Sequence, residues 1–150
     1  MVWAAFSRNG SGPITHIKGI MDSVMYRDIL ANHLEDAADG LPLSVQNCWE
    51  FQQDNDPKHT SRLVKSLLND NKIRTMECPA HSPDLNPIEN LWNRVEWDIR
   101  KQKPATLDDL YHTIKESWAA ITSLTFQKLM DSMLRRCAAV LKARGYPTKY

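Results

Sequence analysis

A strand, a crossover helix and a second strand are indicated in the middle of the chain, and this unit constrains the fold more than any other part. Residues 49–54 are an apolar-aromatic run that ends in Asp54, and residues 55–57 then turn the chain sharply. A helix is expected to begin near residue 60 and to end at residues 69–71, and residues 73–78 have the length of another strand. Two strands joined through a helix are predicted to pair in parallel, which indicates an α/β sheet.

Further elements flank this unit on both sides. Residues 1–18 alternate around a turn and predict a β-hairpin. Asp22 is a good N-cap for a helix that runs to about residue 38. Three more helices are expected: one that bears Glu89, one at residues 106–121 with a capping-box-like start, and one at residues 125–144. The predicted order is therefore ββαβαβ followed by three helices.

Each of these helices carries apolar residues at helical spacing, which indicates a face turned toward a core. The stripes of the last two helices are broad, so both are expected to pack on the sheet or on each other. The residues expected to face inward after residue 60 are Leu63, Val64, Leu67, Leu68, Ile88, Leu91, Trp92, Val95, Ile99, Leu107, Leu110, Tyr111, Ile114, Trp118, Ile121, Leu129, Met133, Cys137, Val140 and Leu141.

The composition is that of one globular domain. The 150 residues are 42% apolar and 25% charged, and a chain of this length can bury about two-thirds of its unfolded surface. It has no run of about 18 apolar residues, so no membrane span is expected. Cys48, Cys78 and Cys137 are isolated and odd in number. This usage favours a reducing compartment and argues against a zinc ribbon or a disulfide scaffold.

The net charge of +1 conceals an uneven distribution of charge. Residues 1–90 carry 8 basic and 12 acidic side chains, whereas residues 91–150 carry 11 basic and 6 acidic ones. A basic portion beside an acidic portion suits a metal site that must meet a polyanion such as DNA. Helical surfaces rich in lysine and arginine explain the same distribution, so charge alone leaves both interpretations open.

Two carboxylates stand where a divalent cation could be held. Asp54 ends a predicted strand and Glu89 lies in the first turn of a predicted helix, with 34 residues between them. Hard oxygen ligands in one crevice suit Mg²⁺, which keeps several waters and needs few protein carboxylates. Each residue also has a simpler interpretation. Residues 54–56 are typical of a polar turn, and Glu89 follows Asn86 by three residues, where it could accept from the N-cap backbone N–H.

Residues 51–60 (FQQDNDPKHT) and 82–92 (SPDLNPIENLW), with the gap between the two carboxylates, resemble the signature of the mariner superfamily of cut-and-paste DNA transposases. The resemblance extends in weaker form over nearly all of the chain. It implies an α/β ribonuclease-H-like fold that lacks its first strand and has extra C-terminal helices. Residues 1–150 would then be a truncated DDE endonuclease domain, with Asp54 and Glu89 as catalytic residues and ligands of a two-ion Mg²⁺ or Mn²⁺ site.

The resemblance also implies partners and a location. DNA with transposon terminal repeats would be the partner and the nucleus the location; a homo-oligomer is compatible with the family, and no membrane is involved. Asn55 and His59, beside Asp54, could orient a phosphate or a water or could simply stabilise the turn. A solvated face explains the basic candidates just as well. The candidates for contact with nucleic acid are Lys58, His59, Arg62, Lys65, Arg94, Arg100, Lys101 and Lys103.

The first Asp of the family's DDE triad has no counterpart in this sequence. The family places it on a strand that follows a helix-turn-helix region and precedes the matching part. Of the acidic residues before Asp54, only Glu50 is off the predicted helix, and it lies in the same strand as Asp54. Two functions therefore stay open. One is a DDE endonuclease domain, expected to be inactive here because a second ion lacks its ligand; the other is a non-enzymatic transposon-derived protein that binds DNA or a partner.

Overall fold

The computed structural model describes residues 1–39, 49–79 and 83–149, with side chains for all of these except residues 35–39. Among the described residues, no helix has both the length and the apolar character that crossing a membrane requires. The described elements are β1 (Val2–Ser7), β2 (Gly10–His16), α1 (Ser23–Asp39), α2 (Arg62–Asp70), a 3-10 helix (Pro83–Leu85), α3 (Ile88–Gln102), α4 (Leu107–Ala119), α5 (Ser123–Asp131) and α6 (Met133–Lys142).

The chain divides into two compact units that alternate along the sequence. The first unit comprises residues 1–2 and 17–82, and the second unit comprises residues 3–16 and 83–150. Each carries one of the two predicted metal-binding carboxylates, Asp54 in the first and Glu89 in the second.

Helices α1 and α2 pack together in the first unit. The Asp22 carboxylate accepts a hydrogen bond from the Met25 N–H at 2.8 Å, so the predicted N-cap of α1 is confirmed. Leu30 and Val64 are fully buried, and Leu68 is 3% exposed. Leu63 is 42% exposed, so the prediction that it faces inward is wrong. With only nine residues, α2 turns a narrow face inward, and Leu63 lies beside that face.

The two strands predicted on either side of α2 do not form regular strands. One parallel bridge joins Phe51 to Thr75, with the Phe51 N–H donating to the Arg74 carbonyl at 2.7 Å and the Met76 N–H donating to the Phe51 carbonyl at 2.9 Å. The parallel direction of the pairing is therefore as predicted, but the predicted length of the two strands is wrong. Residues 74–77 are all exposed. Strand pairing is specified where one face of a strand is buried. These exposed residues provide no buried face, so nothing extends the pairing beyond the single bridge.

The β-hairpin and helices α3 to α6 form the second unit, and the predicted hairpin at residues 1–18 is confirmed. Helix α4 packs on α3. The capping box at its start is also confirmed: the Thr106 N–H donates to the Asp109 carboxylate at 3.2 Å, and the Asp109 N–H donates to the Thr106 hydroxyl at 3.1 Å. The buried core of this unit consists of Ala4, Leu91, Val95, Trp118, Ile121 and Phe126.

The single helix predicted at residues 125–144 is two helices, α5 and α6, which meet at Ser132. The Ser132 hydroxyl donates to the Leu129 carbonyl at 2.6 Å, and such a bond competes with the helical ladder and bends the chain. The bend changes the inward face, so the predictions for Cys137 and Leu141 are wrong: both are exposed, Leu141 by 78%. The prediction that Leu107 faces inward is also wrong, since Leu107, the first residue of α4, is 80% exposed.

Candidate metal centre

The Asp54 carboxylate is held by one of its two oxygens. Oδ1 accepts a hydrogen bond from the Asp56 N–H at 3.0 Å and lies 2.5 Å from Nδ1 of His59. Because an ionised carboxylate only accepts, Nδ1 of the imidazole carries the proton. The side chain of Asp54 is 60% exposed. Within the described part of the chain both bonds fall on Oδ1, so Oδ2 is available to a cation.

His59 is fixed by the residues around it. Its side chain is only 14% exposed, and its ring lies on that of Tyr26 with centroids 4.0 Å apart. Gln53 joins the two, accepting from the Tyr26 hydroxyl at 2.8 Å and donating to the His59 carbonyl at 3.3 Å. His59 Nε2 is buried without a hydrogen-bond partner among the described residues.

The turn after Asp54 is stabilised by its own side chains. Lys58 forms an ion pair with Asp56 and donates its backbone N–H to Asp56 Oδ1 at 3.0 Å. The hydrogen bond from the Lys58 side chain, followed by that from its backbone, lowers the pKa of Asp56. The Asn55 amide donates to the Cys78 carbonyl at 2.8 Å. Asp56 is therefore a turn residue, and the Lys58 ammonium already has a carboxylate partner.

Two cysteines of the described residues are free thiols, and Cys48 lies outside those residues. Cys78 is partly buried near Asp54, and its sulfur accepts from the Gln52 amide at 3.5 Å. Burial raises the pKa of the Cys78 thiol, against a smaller lowering by the Gln52 hydrogen bond. Cys78 therefore remains a neutral thiol at neutral pH and is not a ready ligand for a hard cation.

Glu89 lies in the first turn of α3, as predicted. Its Oε1 accepts from the side-chain amide of Asn86 at 3.4 Å, and its backbone N–H donates to the Asn86 carbonyl at 3.2 Å. The residue before the helix is Pro87, which has helical backbone angles and makes no side-chain cap. The side chain of Glu89 thus bonds to a side-chain amide and not to the backbone N–H of a capping box. Among the described residues nothing bonds to its Oε2, which remains available to a cation.

A buried arginine fixes the residues on both sides of Glu89. Arg136 is 3% exposed and donates to the Asp84 carbonyl at 3.1 Å and to Asn90 Oδ1 at 2.7 Å. Asp84 also accepts from the Thr148 N–H at 2.7 Å. The hydrogen bond from the Thr148 side chain, followed by that from its backbone, lowers the pKa of Asp84. Arg136 was missed in the sequence because charged residues are assigned to surfaces. The available signal was its spacing, three residues after Met133 and four before Val140.

The remaining basic candidates are exposed. Arg62 and Lys65 lie on α2, and Arg94 and Lys101 lie on α3. Arg100 forms an ion pair with Glu96 at 2.7 Å. Lys103, also exposed, ends α3 with left-handed backbone angles. Of these candidates, the ones that are exposed and form no ion pair in the described part of the chain are Arg62, Lys65, Arg94, Lys101 and Lys103.

The donor set fits a hard divalent cation. Asp54 and Glu89 each offer one carboxylate oxygen that the described residues leave open, and such oxygens with several waters are the ligands of Mg²⁺ and Mn²⁺. Within the described residues, no group of three or more histidine, cysteine, aspartate or glutamate side chains gathers as a metal site. That Asp54 and Glu89 serve the same cations stays a prediction.

Comparison with known proteins confirms the family resemblance. The profile of the DDE superfamily endonucleases matches residues 2–111. The transposase of the transposable element Tcb1 of Caenorhabditis briggsae is 40% identical over 150 residues, covering 100% of this chain and 54% of the relative. The Tc1 transposase of Caenorhabditis elegans is 39% identical over 153 residues, with the same two shares. The chain thus spans about half the length of the curated relatives it matches.

Solved structures show the same fold. The Mos1 transposase catalytic domain with raltegravir and Mn has a TM-score of 0.88 at 19% identity, covering 99% of this chain and 76% of that one. The Mos1 transposase paired-end complex with the left transposon end has a TM-score of 0.71 at 18% identity, covering 99% and 44%. The ribonuclease-H-like fold predicted from the sequence is confirmed. The chain belongs to the DDE superfamily endonucleases, and within them to the transposases of the Tc1/mariner type.

Proposed function

We propose that Asp54 and Glu89 are carboxylate ligands of a Mg²⁺ or Mn²⁺ centre that cleaves and joins DNA strands at transposon ends. The observation that carries the proposal is the hydrogen bonding of the two side chains. Each has one oxygen held by a neighbouring residue, Asp54 by His59 and Glu89 by Asn86, and the other oxygen open. The Mos1 catalytic domain with Mn supports the choice of cation.

The residues of the chain prepare the carboxylates for this role. Two divalent cations about 4 Å apart stabilise the attacking and leaving oxygens in displacement at phosphorus. His59, packed on Tyr26, holds Asp54 Oδ1 and so orients Oδ2. Asn86 does the same for Glu89. Since both carboxylates are oriented before a cation binds, little side-chain freedom is lost on binding, which favours affinity.

The proposed substrate is DNA, and the proposed location is therefore the nucleus. The Mos1 paired-end complex with a transposon end supports DNA as the partner. Arg62, Arg94 and Lys101 are proposed to contact phosphates, since they are exposed and lack ion pairs within the described residues. Lys58 and Arg100 are weaker candidates because each already pairs with a carboxylate. A homo-oligomer is compatible with this proposal.

Titration of the chain with Mn²⁺, followed by the loss of the free Mn²⁺ electron paramagnetic resonance signal, tests the proposal. Asp54→Asn and Glu89→Gln should each weaken Mn²⁺ binding by about tenfold or more, because loss of an outer partner of a metal ligand already costs about tenfold. Both substitutions keep the size of the side chain and remove its charge.

Asp70→Asn is the matched control, because Asp70 is an exposed carboxylate at the end of α2 that bonds only to Ser66 in the described structure. It should leave Mn²⁺ binding unchanged. Equal affinity in all three variants would contradict the metal centre. DNA binding that persists without any Mn²⁺ site would favour the alternative, a non-enzymatic DNA-binding protein.

A further inference from the structure

The solvent face of α3 carries a tryptophan between two cations. Trp97 is 60% exposed, whereas Leu91 and Val95 of the same helix are buried in the core. Arg94 precedes Trp97 by three residues and Lys101 follows it by four, so the three side chains share one face of the helix. A single exposed apolar side chain needs no explanation. An aromatic ring flanked by two cations on one helix face does need an explanation. No role was assigned to Trp97 from the sequence.

The two cations of this face, Arg94 and Lys101, form no ion pair in the described part of the chain. The Lys101 ammonium lies 5.3 Å from the centroid of the Trp97 ring. Asp98, one turn after Arg94, accepts from the Ser117 hydroxyl at 2.5 Å. The one acidic side chain of α3 that forms an ion pair, Glu96, pairs with Arg100. Within the described part of the chain, Arg94 and Lys101 therefore have no carboxylate partner.

We infer that this face of α3 binds an unpaired stretch of DNA, with Trp97 stacking on a base and Arg94 and Lys101 bound to the adjacent phosphates. The inference rests on the proposed function, which makes DNA the polymer at hand. A basic groove with an aromatic side chain is the usual means of binding a single strand, since every base offers a flat face for stacking. A duplex keeps its bases stacked inside, so it would use the cations and not the indole.

The length of the helix supports this arrangement. Arg94 and Lys101 lie about 10 Å apart along the helix axis, at 1.5 Å per residue, which corresponds to about three base steps at 3.4 Å. Glu89 precedes Trp97 on the same helix by about 12 Å. The carboxylate proposed to bind the cation therefore lies at the N-terminal end of the helix whose solvent face would bind the strand.

Fluorescence anisotropy with a labelled oligothymidylate of about 12 nucleotides, and with the matching duplex, tests the inference. Trp97→Ala should weaken binding of the single strand by about tenfold, the effect of losing one stacked base, and should change duplex binding by less than about twofold. Trp97→Phe keeps a ring and should lose much less. Arg94→Gln and Lys101→Gln should each lower the slope of log affinity against log salt by about 0.7.

Two exposed residues elsewhere in the second unit serve as controls. Tyr146→Ala removes an aromatic ring that is 75% exposed, and Lys142→Gln removes an exposed cation at the end of α6; neither should change DNA binding. Equal loss in these controls, an unchanged affinity in Trp97→Ala, or no binding by the unsubstituted chain would overturn the inference. The variants at Trp97, Arg94 and Lys101 should bind Mn²⁺ as tightly as the unsubstituted chain. The Mn²⁺ titration therefore tests the metal centre, and the anisotropy experiment tests this surface independently.

Discussion

At the scale of single residues, the neighbours of a carboxylate decide what it can do. Asp54 ends an extended segment and is well exposed, yet its Oδ1 is fixed by an imidazole that is itself buried against Tyr26. A rigid hydrogen-bond partner behind a metal ligand sets the orientation of that ligand and raises metal affinity. His59 is therefore a positioning residue for Asp54 in the proposed centre.

His59→Ala should weaken Mn²⁺ binding by about tenfold, because outer partners of metal ligands typically contribute that much or more. His59→Asn offers an amide donor close to the position of Nδ1 and should restore most of the affinity. The measurement is the same Mn²⁺ titration, with a thermal melt to establish that each variant is folded. His112→Ala, at an exposed histidine of α4, should have no effect. A folded His59→Ala chain with unchanged affinity would show that His59 only stabilises the turn.

Asp54 and Glu89 could be named as candidates from the sequence, and His59 beside Asp54 as well, but the packing of His59 on Tyr26 could not be predicted. Each carboxylate belongs to a short motif, and both motifs and the number of residues between them can be read directly from the sequence. The contact of His59 with Tyr26 depends on how α1 packs, and sequence separation says nothing about it. Arg136 was missed for a related reason. A buried guanidinium is stable only if several acceptors surround it, and two of its acceptors, Asp84 and Asn90, come from a distant part of the chain.

At the scale of elements, the second unit is held by the contact between α3 and α4. Trp118 of α4 is 2% exposed, its ring lies 5.2 Å from that of Trp92, and its indole N–H donates to the Gly12 carbonyl at 3.3 Å. Gly12 itself approaches Ala5 so closely that an added Cβ would lie 2.8 Å from the Ala5 carbonyl oxygen. One side chain thus joins the two helices to the hairpin.

Trp118→Ala should lower the free energy of unfolding by about 3–5 kcal/mol, the usual cost of deleting a buried aromatic ring. Trp97→Ala is the matched control and should change it by no more than about 0.5 kcal/mol, because that ring is exposed. Urea denaturation followed by circular dichroism measures both. Similar values for the two variants would mean that Trp118 contributes no more than a surface side chain.

Helices could be predicted more accurately than strands in this chain, for a physical reason. A helix such as α4 is specified by its own capping box and apolar stripe, so its start is visible locally. The segments at residues 49–54 and 73–78 depend on neighbouring segments for their hydrogen bonds, and only the Phe51–Thr75 bridge forms among the described residues. The break at Ser132 also has no strong local signal, since serine is common within helices and at their ends.

At the scale of the whole molecule, the chain has two compact units, and each carries one of the two candidate carboxylates. The first unit presents Asp54 after an extended segment, and the second presents Glu89 at the start of α3. The assignment to the DDE superfamily endonucleases is the basis on which one role is proposed for both residues. The expectation that the 150-residue chain does not cleave DNA alone stays a prediction.

The central claim, that Asp54 and Glu89 hold the same cations, is tested most directly by a crystal structure of the chain grown with Mn²⁺. Anomalous scattering locates the ion without assumption about its ligands. We expect an Mn²⁺ peak bound by a carboxylate oxygen of Asp54 and one of Glu89, or two peaks about 4 Å apart shared between them. Carboxyl groups separated by more than about 8–9 Å, beyond the reach of a two-ion site, or Mn²⁺ bound away from both residues, would contradict it.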